Sequence, residues 1–128
     1  MHAYEWAALR VVPRVERGEF VNAGVLLYCA ALDFLDAGVE LDRERVLALD
    51  PGLDVVEVER HLRAVQDLCR GAAGAGPAAA RGPRERFGWL TAPRSTVVQP
   101  SPVHTGLTSD PAAELQRLLA VMVRRPGA

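Results

Sequence analysis

Residues 20–29, FVNAGVLLYC, are apolar almost without interruption, and this run limits the fold more than any other feature of the chain. A half-buried strand alternates apolar and polar side chains, whereas a strand covered on both faces does not. Only Asn22 and Gly24 interrupt the run, and a polar turn containing Pro13 and Gly18 precedes it. The pattern therefore predicts a central strand buried on both faces. Upstream, Tyr4, Trp6 and Ala8 fall on one side of an alternating segment and Ala7, Leu9 and Val11 on the other. The two segments most simply form an antiparallel hairpin. A third strand is expected within Leu32–Leu41, with Asp33 and Asp36 facing water.

Helical signals follow. Asp42 opens a short stretch that Asp50-Pro51-Gly52 ends. Asp54 is placed to cap a second helix, in which Val55, Val58, Leu62, Val65 and Cys69 recur at spacings of three and four. Glu59 and Arg63 are spaced to pair along its flank, and Gly71 suits its C-terminal cap. Residues 71–82, GAAGAGPAAARG, have no apolar period and are expected to form a flexible Gly/Ala-rich loop. A helical turn is expected within Arg84–Leu90. The stretch Ser95–Val103 reads as extended, and Pro100 and Pro102 confine it to a sheet edge. Asp110-Pro111 starts a last helix with an apolar stripe of Leu115, Leu118, Leu119, Met122 and Val123.

The expected fold is α+β. It is an antiparallel sheet of about four strands with helices packed on one face, in the order β-β-β-α-α-β-α. Residues 1–128 are too few for a second core, so one domain is expected, burying about 65–70% of its unfolded surface. Net charge is −1, which argues against a generic nucleic-acid binder. All 15 basic residues are Arg; without Lys there is no Schiff-base chemistry, and any bound anion would meet guanidinium groups. Cys29 and Cys69 lie in apolar patterns and read as small buried hydrophobes. The N-terminus lacks a signal-peptide layout and no apolar run is long enough to span a membrane, so a cytoplasmic protein is expected. His2, His61 and His104 are scattered, and neither a metal site nor a cofactor is expected.

Two segments carry side chains beyond what a loop needs. In Arg17–Val25, Phe20, Asn22 and Gly24 share a face if the strand alternates, and the Asn22 amide requires a partner. That partner is a ligand or simply a neighbouring loop, with Glu19 pairing to Arg17 across the turn. In Arg94–Gly106, two prolines stiffen a row holding Gln99 and Ser101, and His104 starts a turn. The alternative is a proline-protected edge whose polar groups serve the turn. The candidate site is Arg17, Glu19, Asn22, Arg94, Gln99, Ser101 and His104, with Arg94 the best anion contact.

The strings RGEFVNAGVLLY (17–28) and RFGWLTAPRSTVVQPSPVHTGLTSDPAAELQRLL (86–119) resemble a bacterial family known as domain of unknown function 3037. The resemblance implies no reaction. It does imply an accessory role, because such domains accompany a HipA-like kinase. Three functions compete. The leading one is a non-catalytic domain binding an anionic molecule or a protein partner. A small hydrolase or transferase is the second, with Glu19 and His104 as acid-base pair, or with Ser101 or Thr105 as nucleophile, His104 as base and Glu19 as orienter. The third is a structural subunit that forms homo-oligomers through an exposed strand or the last helix.

Overall fold

The computed structural model describes residues 1–127. Strand β1 (His2–Val11) pairs antiparallel with β2 (Val21–Cys29), and β2 with β3 (Phe34–Val39). Helices α1 (Arg43–Leu49), α2 (Val55–Arg70) and α3 (Pro83–Leu90) follow. The chain then returns to the sheet as β4 (Val98–Pro100) and β5 (His104–Thr108) before α4 (Pro111–Met122). Both late strands pair with β1, β4 against Leu9–Val11 and β5 against His2–Trp6. The sheet thus has five strands in the order β3-β2-β1, with β4 and β5 sharing the far side of β1.

The α+β class and the antiparallel sheet agree with the sequence pattern, but the helices occupy both faces. Val58, Leu62, Val65 and Cys69 of α2 and Phe87 and Leu90 of α3 close over Ala7, Leu9, Val11, Leu26 and Tyr28. On the opposite face, Leu115, Leu118, Leu119 and Val123 of the α4 region close over Tyr4, Val25, Leu27 and Cys29. The reason is the run 20–29 itself. Val25, Leu26 and Leu27 are all fully buried, and a single helical layer would leave every second one in water. Each buried Val or Leu side chain contributes about 1.5–3 kcal/mol, so an uncovered face would forfeit most of the stability of a small domain.

Helix ends follow their caps. Asp42, Asp54 and Asp110 accept from Arg45 N–H, Glu57 N–H and Ala113 N–H, and Gly71 ends α2 in the left-handed region at φ 65°. Along α2, Glu59 binds Arg43 (2.5 Å), not Arg63, because α1 brings that guanidinium across to it. Residues 73–75 and 77–80 form two short 3-10 turns.

Two local departures matter for the candidate site. A bulge shifts the β1–β2 register so that Leu9 faces Gly24 while Arg10 faces Asn22, leaving Ala23 as the extra residue. Asn22 and Gly24 therefore lie on opposite faces, not on one. The second departure is β5 itself: His104 does not start a turn but begins a strand, opposite Trp6.

Candidate functional site

Helix α4 lies over β2 and β3, and the β1–β4–β5 part of the same face is left more open. Cross-strand pairing sets Asn22, Arg10 and Gln99 in one row on that face. The Arg10 guanidinium sits over the Phe20 ring, 4.2 Å from its centroid. Its Nε is buried and has no hydrogen-bond partner among the described residues. Further along β1, the Trp6 and His104 rings stack at 4.7 Å. Phe20 is 45% exposed and Val103 41%, so the strip presents two stacked pairs with apolar surface beside them.

Of the residues expected to form a site, this strip gathers Asn22, Gln99 and His104. Asn22 Nδ2 donates to the carbonyl of Met122 at 3.0 Å, which supplies the partner its position demands and ties β2 to the end of α4. Gln99 Nε2 donates to Thr96 O at 2.7 Å. Ser101 is buried and serves the sheet: its Oγ accepts the Ala8 N–H at 2.8 Å and donates to Pro102 O at 2.9 Å. Arg17 and Glu19 pair with each other in the exposed turn before β2. Arg94 donates to Trp89 O at 2.5 Å, at the end of α3.

Glu19 and His104 are not brought together. His104 pairs with Trp6 while Val21 pairs with Val11, a separation of about 16 Å along β1 at 3.3 Å per residue, and Glu19 lies beyond Val21. The thiols offer no nucleophile either. Both cysteines are free and buried, and burial pushes Cys69 up to about 12. Among the described residues no cluster of three His, Cys, Asp or Glu could hold a metal ion, and no helix is long and apolar enough to cross a membrane.

The central residue of the strip, Arg10, was not among the expected ones. The sequence does mark it: Arg10 is the one charge on the Tyr4–Trp6–Ala8 side of the first strand, where a buried face would carry an apolar side chain. On the other side of the sheet, a cleft of about 500 Å³ opens between the start of α2 and residues 95–98. Val15, Leu53, Val58 and Val97 form its apolar wall, Asp54, Glu57 and His61 add polar groups, and none of the expected site residues lines it.

An antiparallel α+β domain with an arginine–aromatic strip on a partly open sheet face is thus the class of protein that fold and surface define. The chain belongs to the family described as Protein of unknown function (DUF3037), which it matches over residues 6–123. No curated protein and no solved structure matches it.

Proposed function

We propose that this domain is a non-catalytic accessory module that docks a protein partner on the open strip of Trp6, Arg10, Phe20, Asn22, Gln99 and His104. The observation that carries the proposal is Arg10. A guanidinium held against Phe20 is oriented at little entropic cost, and its terminal amino groups, not the buried Nε, are the donors that a partner's carboxylate would meet. Trp, Arg and Phe are also residue types that dominate the centres of protein interfaces. Arg17 and Glu19, next to Phe20 in sequence, would stand at the rim. The family resemblance makes a HipA-like kinase domain the partner to test first.

Titration calorimetry of the chain with a HipA-like kinase domain tests this. Arg10→Ala and Trp6→Ala should each weaken binding at least tenfold, about 1.4 kcal/mol, while Glu19→Gln leaves it within about twofold. Undiminished affinity in both strip variants would overturn the docking surface. Absence of any binding by the wild-type chain would remove the kinase as partner. The cleft beside α2 favours a second function, binding of a small molecule, since its volume lies in the range of ligand pockets. Its charged groups are the carboxylates of Asp54 and Glu57, so an apolar or cationic molecule fits it better than an anion.

A further inference from the structure

The sheet has three edge segments, and two of them are blocked. At β3, Gln66 of α2 reaches over to donate to Ala37 O at 2.7 Å, and Arg70 binds Asp36 at 2.9 Å beside it. At β4, Pro100 lies within the strand and Pro102 just beyond it, and each lacks the N–H that a further strand would need. Strand β5 has neither defence. Residues 103–109, VHTGLTS, contain no proline and no Lys, Arg, Asp or Glu, the side chains that usually keep an edge from pairing. Among the described residues nothing pairs with its outer side. Leu107, in the middle of this edge, is 63% exposed.

The edge is also rigid. The Tyr4 ring lies across Gly106, where even a methyl group would come within 2.5 Å of the phenol, and the Tyr4 hydroxyl donates to Glu114 of α4. At the far end, Thr108 Oγ1 accepts the Asp110 N–H at 3.0 Å. Every second residue of such a strand turns its N–H and C=O away from β1, so the ladder is preformed and costs little further ordering.

We infer that β5 pairs antiparallel with β5 of a second copy of this chain, about a two-fold axis beside Gly106. This register engages the whole strand: His104 faces Thr108 of the other copy, Thr105 faces Leu107, and Gly106 faces itself. An antiparallel strand pair is self-complementary by symmetry, which an isologous interface requires. The uncharged segment sets no like charges opposite one another, and a chain of net charge −1 adds little long-range repulsion. A single sheet then runs through both copies, and Leu107 of each lies against the other's strand. The inference is independent of the docking strip, which uses the face of the sheet and not its edge.

Sedimentation equilibrium of the full chain across a concentration series tests the pairing, with hydrogen–deuterium exchange read on residues 104–108. The wild-type chain should double its mass as concentration rises, and outward amides of β5 should slow their exchange with it. Leu107→Lys should stay monomeric at unchanged melting temperature, since the side chain it replaces is mostly exposed. Val121→Lys, on the outer side of α4 where Val121 is 65% exposed, should dimerise like the wild type. A wild-type chain monomeric throughout, with β5 amides exchanging alike at all concentrations, overturns the inference. Loss of the dimer in Val121→Lys but not in Leu107→Lys overturns it too, and moves the interface to α4.

Discussion

Ser101 stands in a motif that invites a catalytic interpretation, a serine three residues before a histidine, yet its hydroxyl is consumed by the backbone. It takes the Ala8 N–H where the prolines on either side cannot continue a regular ladder. Ser101→Ala should therefore leave that N–H buried without an acceptor. A loss of about 1–3 kcal/mol is expected, read as a lower urea midpoint at unchanged slope; a substitution neutral in stability would show that the bond is dispensable. The need of Asn22 for a partner was legible in the sequence, because an amide inside an apolar strand must be satisfied. The identity of the partner was not. The Met122 carbonyl is a hundred residues away, and only the placement of α4 brings it near. Arg17 and Glu19 illustrate the opposite case, since a pair two residues apart across a turn needs no tertiary information.

Among the elements, those with local punctuation were the most legible. Asp42, Asp54 and Asp110 announce helix starts through a hydrogen bond made three residues away, and the structure makes all three bonds. Strand β5 leaves little trace in the sequence because it is short and largely exposed, and because it owes its existence to β1 rather than to any period of its own. The stripe on α4 shows that this helix is buried but not on which face, a choice settled by the two-sided apolarity of β2. Docking of α4 ends at Asn22, which holds one of the terminal carbonyls that no later turn can satisfy. Asn22→Ala should cost about 1 kcal/mol and speed amide exchange in the last turn of α4, leaving exchange at its Asp110 cap unchanged. Uniformly faster exchange along the helix would instead mean that Asn22 supports the whole element.

Across the whole molecule, ion pairs with arginine fasten the helices to one another and to the segment after β3, and they give stability a definite pH dependence. Arg124 binds Glu40 at 2.8 Å and Arg125 binds Asp42 at 2.6 Å, fastening the end of α4 to the segment between β3 and α1. Arg43 joins α1 to Glu59 of α2. At the start of α4, Glu114 accepts from Arg117 at 2.7 Å and from the Tyr4 hydroxyl. Hydrogen bonds to these guanidinium groups hold Glu40, Asp42 and Glu59 below their ordinary values, and the Arg117 guanidinium, with help from Tyr4, draws Glu114 down to about 2. A carboxyl that is more acidic folded than unfolded stabilises the fold fully above its unfolded value, here 4.5 for Glu114, and loses that contribution as pH falls toward the folded one. Melting temperature should therefore be level between pH 4.5 and the ordinary thiol value of 9.0, above which the raised Cys69 costs stability, and should decline from pH 4.5 to about pH 2. Glu114→Gln should melt below the wild type on the plateau, and the gap should close as the wild-type carboxyl protonates. Added salt should trim the plateau only modestly, because in each of these pairs the guanidinium is about half exposed and such pairs are screened and individually weak. If the wild-type and Glu114→Gln curves stayed parallel down to pH 2, the charge on Glu114 in its link to Tyr4 and Arg117 would carry no net stability, and the start of α4 would be held by its apolar stripe alone.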